Sequence, residues 1–181
     1  MRVVVVGAGP AGVRAAEQLV RAGIAPTWIE ESADGGGRIY QRPPAGFSRD
    51  HRALYGADAS RAKALHATLQ ALKPRADWRP DTLVWNLRPR GRALETLARG
   101  SERGEIHYDA LILCTGAVDR VLPVPGWTLP GVTTLGGAQI ALKAQGVAIG
   151  ARPIFIGTGP LLWLAALQYA KAGAPPALVL D

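Results

Sequence analysis

Four consecutive valines, Val3–Val6, run directly into Gly7-Ala8-Gly9-Pro10-Ala11-Gly12. An unbroken β-branched run suits a strand buried on both faces, as in a parallel sheet. Residues 10–22 then place Val13, Ala16, Leu19 and Val20 on one helical stripe, with Arg14, Glu17, Gln18 and Arg21 opposite. Gly23 ends that helix. Residues 26–30 read as a second strand, closed by Glu30. Strand, glycine loop, helix and acid-ended strand together commit this region to a βαβ unit.

Each loop glycine has its own task. Gly7 permits a tight turn, Gly9 lets a pyrophosphate approach the backbone, and Gly12 lets the helix pack close to the strand. The helix N-terminus adds free N–H groups and a partial positive charge for phosphate. Pro10 and Ala11 open the helix, and the fixed φ of proline suits its first turn. Glu30 stands about twenty residues on, where an acid accepts from ribose hydroxyls. Glu31 is a competing acid that strand alternation should turn away.

The rest of the chain continues in α/β style. Residues 32–56 form a Gly- and Pro-rich loop, and residues 58–73 a helix with Leu65, Leu69 and Leu72 on one stripe. Residues 77–108 read as strands and hairpins, 110–114 as another buried strand, and 121–130 as an extended crossover. A second strand–glycine loop–helix–strand series follows, over residues 153–156, 160–172 and 178–181. The expected division is 1–117 and 118–181.

Composition excludes several classes. The net charge is +7, but the arginines are scattered and no aromatics alternate with them, so a nucleic-acid ribbon is not expected. Cys114 is the one cysteine, which rules out an intramolecular disulfide, a CxxC pair and a cysteine-based metal or iron–sulfur site. No metal site is expected. The absence of a signal-like segment and the shortness of the apolar 160–172 helix favour a cytoplasmic protein without a membrane span.

The fingerprint alone does not choose between FAD and NAD. Two later features favour FAD: Asp34-Gly35-Gly36-Gly37-Arg38, where glycines let the backbone pass close to a ligand, and Leu113-Cys114-Thr115-Gly116 at a strand end. With GAGPAG, GGGRIYQRPP, LILCTGAVDR and VLPVPGWTLPGVTTLGGAQIALKAQG, the chain resembles flavoproteins of the pyridine nucleotide-disulfide oxidoreductase family. Within it, the similarity is to the branch of opine oxidase, hydrogen cyanide synthase, and D-hydroxyproline and proline dehydrogenase subunits. The match covers residues 1–40 and 108–181, and only loosely 82–87.

The resemblance implies a Rossmann-like FAD-binding domain, a parallel sheet with helices and a β-hairpin or meander insert, followed by an incomplete second Rossmann-like unit. It implies that Gly7, Gly9, Ala11 and Gly12 surround the FAD pyrophosphate and that Glu30 holds the ribose. Gly37 and Arg38 would lie beside ribose and phosphates, although Arg38 reads equally as a solvated surface residue. Val84 would meet the adenine through its backbone, and Thr115 and Gly116 would approach the cofactor from the later strand. Cys114, where the family commonly has alanine, reads as a small buried hydrophobe.

The second loop, Gly157-Thr158-Gly159-Pro160-Leu161-Leu162, lacks its third glycine. Leu162 would crowd phosphates, so this unit is read as a structural remnant rather than an NAD(P) site. The expected protein is the FAD-binding portion of an oxidoreductase, of the α-subunit type that passes electrons from an amine or imino acid handled by a partner subunit. An NAD(P)H-dependent flavin reductase and a non-catalytic assembly subunit stand as alternatives. The chain is expected to be a fragment, or to be completed by another chain. No acid–base residue stands out: His51 and His107 read as loop or strand-end residues and His66 as a surface helix residue.

Overall fold

A computed structural model of the chain describes residues 1–44, 46–100 and 102–181. In chain order the elements are β1 (Val3–Val6), α1 (Pro10–Arg21), β2 (Thr27–Ile29), α2 (His51–Tyr55), α3 (Ala59–Leu72), β3 (Asp77–Arg79), β4 (Thr82–Arg88), β5 (Ala93–Ala98), β6 (Glu102–His107), β7 (Ala110–Leu113), α4 (Leu135–Ala144), β8 (Ile154–Ile156), α5 (Pro160–Lys171) and β9 (Leu178–Leu180). They divide into two compact units. One comprises Met1–Tyr40 and Arg61–Gly116, the other Gln41–Ser60 and Ala117–Asp181. Residues 41–60 therefore group with the C-terminal part of the chain rather than with the N-terminal elements that flank them.

The first unit has three layers. Its centre is a parallel sheet of order β3-β2-β1-β7. Successive side chains of a strand point to opposite faces. Val5 and Trp28 accordingly pack against α1 and α3 through Val13, Ala16, Leu65 and Leu69. Val4, Val6 and Ile29 face the other way, against Leu94 and Ile106 of an antiparallel sheet of order β4-β5-β6. With both faces covered, the valines of β1 are at most 8% exposed, which is why the strand needs no polar alternation.

One strand in the 77–108 region departs from the hairpin expectation. β3 joins the main sheet, parallel to β2, with Trp78 opposite Trp28. The two indoles meet edge to face at 5.0 Å, a geometry that rings prefer to a flat sandwich. The meander insert is present as β4, β5 and β6, and its register shifts between Val84 and Asn86.

The second unit contains two helices that the sequence pattern does not announce. α2 is a single short helix capped by Asp50, whose carboxylate accepts from Arg52 N and Ala53 N. α4 begins at two glycines, which mask it on propensity. Its N-terminus is nevertheless well held: Thr134 Oγ1 accepts from Gly137 N and Asp119 Oδ2 from Gly136 N. Residues 121–130 form a series of exposed turns rather than an extended crossover.

In the second unit α5 packs Leu162, Ala165, Ala166 and Tyr169 onto Phe155 of β8 and Ala138 and Leu142 of α4. The Tyr169 hydroxyl donates to Ala138 O. The opposite side of α5 is exposed, with Leu161 and Trp163 both about half accessible. Although the helix is apolar nearly all round, it is thus buried on one face only. No helix among the described residues is long and apolar enough to cross a membrane.

Candidate functional site

In an open parallel sheet, ligands bind beyond the carboxyl ends of the strands, where the strand order reverses. Here that point lies between β1 and β7, because the chain moves from β1 to β2 and β3 on one side and returns to β7 on the other. Gly7 follows β1, Glu30 follows β2, and Cys114-Thr115-Gly116 follows β7. The sheet therefore brings three of the expected segments to one edge.

The first glycine loop is held by its neighbours. Gly7 has φ +99, and a Cβ on it would overlap the carbonyl of Cys114. A Cβ on Gly12 would overlap the carbonyl oxygen of Gly7. These two glycines are demanded by the fold itself. Gly9 differs: its φ is −72, which any residue adopts, and its Cβ would meet Gly37 Cα at an ordinary 3.5 Å. Neither its backbone nor these contacts demand a glycine at this position. α1 starts here with no side-chain cap, no acid in its first turn and Pro10 at its head. Its unneutralised N-terminal N–H groups, those of Ala11 and Gly12, suit a phosphate.

Glu30 is buried, at 7% exposure. Its Oε2 accepts from Ala8 N at 2.6 Å and its Oε1 from Ser32 N at 3.0 Å. A carboxylate has about four acceptor sites, so these two bonds fix its orientation and leave lone pairs for hydroxyl groups. Glu31 is exposed. From β2, the Trp28 indole N–H donates to Gly7 O at 3.0 Å. Thr82 N donates to Glu30 O, which sets Val84, two residues along β4, close to the acid. The Val84 side chain packs into the core between the sheets.

Segment 34–40 lies on the glycine loop. Gly36 N donates to Ala8 O at 2.8 Å. A Cβ on Gly37, which has φ +62, would approach Gly9 Cα to 2.8 Å. The consecutive glycines thus serve a close approach between two backbones. Arg38 is exposed beside them, as are Thr115 and Gly116 beyond β7. Burial pushes the Cys114 thiol up, so it stays protonated and behaves as a small hydrophobe.

The three histidines separate. His51 and His107 are exposed, whereas His66 is buried at 7% exposure, contrary to its expected surface position. Its signal in the sequence was its place on the Leu65–Leu69 side of the helix. Among the described residues no group of three or more His, Cys, Asp or Glu could hold a metal ion.

The second loop does not repeat the first. Gly159, not Gly157, carries the positive φ, at +93. Leu162 is 2% exposed and belongs to the core of its unit. Its Cδ1 would lie 3.8 Å from a Cβ on Gly157, so it fills the space that the missing glycine would have left between loop and helix. Asp181, at the strand end where a ribose acid would stand, accepts from Trp163 Nε1 at 3.0 Å.

Glycine loop, uncapped helix N-terminus and loop-bound acid at the switch point define a Rossmann-like dinucleotide-binding fold with an antiparallel insert. The chain belongs to the pyridine nucleotide-disulphide oxidoreductase family, whose model matches residues 1–179. It is 40% identical over 184 residues to an opine oxidase subunit of Agrobacterium tumefaciens (strain Ach5), across 98% of this chain and 36% of that protein. It is 36% identical over 175 residues to hydrogen cyanide synthase subunit HcnB of Pseudomonas aeruginosa, across 96% of this chain and 37% of that one. The chain thus spans little more than a third of the length of these relatives. The crystal structure of L-proline dehydrogenase from P. horikoshii superposes with a TM-score of 0.79 at 21% identity, over 99% of this chain and 35% of that one. The likeness anticipated from the motifs is therefore present along the whole chain, including the middle segment.

Proposed function

We propose that the chain is the FAD-binding portion of a flavoprotein oxidoreductase, of the α-subunit type found in amine or imino-acid dehydrogenases. The observation that carries the reading is the buried Glu30 carboxylate, fixed on Ala8 N at the switch point beside an uncapped helix N-terminus. FAD, when bound, supplies the redox chemistry, and the protein supplies position and electrostatics. In this reading Gly7, Gly9, Ala11 and Gly12 bind the pyrophosphate, and Glu30 accepts from the adenosine ribose. Gly37 and Arg38 lie along ribose and phosphates, the Val84 backbone meets the adenine, and Thr115 and Gly116 border the cofactor.

The domains we propose are an FAD-binding domain over 1–117 and the start of an NAD(P)-binding-like domain over 118–181. The altered second loop, with Leu162 in its core, argues against NAD(P) binding in the latter and so against the flavin-reductase alternative. Electrons then come from an amine or imino acid handled by a partner subunit. The relatives' names as subunits support a partner. A single half-buried thiol suits a reducing, cytoplasmic setting.

The absorption spectrum of the purified chain tests the reading. A flavin spectrum that persists through gel filtration is expected. A chain that neither retains FAD nor recovers it from added FAD would sink the assignment. Gly9→Val is the matching variant. Its backbone conformation is open to valine, so the fold should hold while the added methyls fill the phosphate cradle. Retention should fall at least about tenfold, roughly 1.4 kcal/mol; unchanged retention would contradict the pyrophosphate role.

A further inference from the structure

We infer that one face of α3 presets segment 34–40 for the cofactor, with His66 as its positioning residue. The inference rests on the FAD reading above. His66, Leu69 and Lys73 fall at i, i+3 and i+7, which is a single stripe of a helix and the turn that follows it. Each meets a different part of the segment. Lys73 Nζ pairs with Asp34 Oδ1 at 2.8 Å, and the same oxygen accepts from Gly35 N. Leu69 is wholly buried, and its Cδ2 would stand 2.9 Å from a Cβ on Gly35. His66 Nε2 lies 2.7 Å from Tyr40 O. A carbonyl oxygen only accepts, so Nε2 carries the proton and donates.

From His66 a line of hydrogen bonds crosses the segment to the acid. Tyr40 N donates to Gly36 O, Gly36 N to Ala8 O, and Ala8 N to Glu30 Oε2. Burying an imidazole is costly unless its polar atoms are bonded, and a leucine would suit the hydrophobic stripe better. What histidine adds at this position is the donor that closes segment 34–40. The glycines alone would leave this segment many conformations to lose. Holding it against α3 removes that ordering cost from cofactor binding, because a pre-organised site keeps more of its contact energy as affinity.

The test uses the full chain, with His66→Leu, His66→Gln and Lys73→Met. FAD titration followed by flavin fluorescence reads affinity. Limited trypsin cleavage after the exposed Arg38 reads the order of the segment. His66→Leu should weaken FAD binding about tenfold and speed cleavage at Arg38. His66→Gln, which can place an N–H near Nε2, should recover most of both, and Lys73→Met should lose less in the same direction. Should His66→Leu fail to fold, Lys73→Met decides between the outcomes. FAD affinity or Arg38 cleavage unchanged in His66→Leu, or in Lys73→Met where that variant stands in for it, overturns the inference. If the unsubstituted chain binds no FAD, the functional reading falls by itself, and the trypsin arm alone then decides whether α3 clamps the segment.

Discussion

The three glycines of the first loop look alike in sequence but carry different constraints. Gly7 and Gly12 are fixed by carbonyl oxygens of the protein, while Gly9 has an ordinary φ and ordinary contacts. Among other single residues, Lys143 has the most distinctive physics. It is 2% exposed on α4, and burial lowers its amine from 10.5 to about 8. The unfolded chain therefore binds more protons between those two values, and stability should rise as pH climbs through that window. The contribution is at most about 3 kcal/mol. Urea melts between pH 8 and pH 10 should show this slope, and Lys143→Met should remove it. A slope that survives the substitution would assign the effect to another group.

At the scale of elements, β8 and β9 are apolar on both faces. Phe155 and Val179 point under α5. Ile154 and Ile156, opposite Leu178 and Leu180, leave the other face between 46% and 69% exposed. Parallel strands with this pattern belong between two covered faces, and a bare apolar patch promotes association. Replacing both Ile154 and Ile156 with lysine should reduce binding of a hydrophobic dye and any concentration-dependent self-association, with little change in melting; dye binding equal to the parent's would place the sticky surface elsewhere.

The same elements explain what sequence could reveal. β1, α1, β2, α3 and β7 were legible because their hydrophobic period and their glycine punctuation agree. α4 was missed because its helix signal lies in two cap acceptors, Thr134 and Asp119, and the second is remote in sequence. The place of β3 in the main sheet was not legible because its partner, β2, is about fifty residues away. In the candidate site the loop and Glu30 could be read directly from spacing. The clamp from α3 could not, since a histidine on a helix gives no sign of which carbonyl it will meet.

At the scale of the molecule, two units with differently built glycine loops share one chain. The first has both faces of its sheet covered, and its glycine loop is braced from three directions: by Trp28, by Glu30 and by segment 34–40. The second keeps the order of strand, loop and helix but has given the third-glycine position to a core leucine. Burying one leucine side chain stabilises by about 1.5–3 kcal/mol.

The bond from Trp28 to Gly7 has an optical consequence. Of the five tryptophans, Trp28 is wholly buried, while Trp85, Trp127 and Trp163 are 45–56% exposed. Blue-shifted emission should therefore come chiefly from the indole that touches the loop. An isoalloxazine absorbs where indole emits, so adding FAD should quench the blue edge of the emission more than the red, which a stopped-flow fluorimeter can follow. Uniform quenching across the band would place the flavin away from this indole. Under the proposed FAD reading the chain carries its own lamp beside the glycine loop, and cofactor binding can be timed without a label.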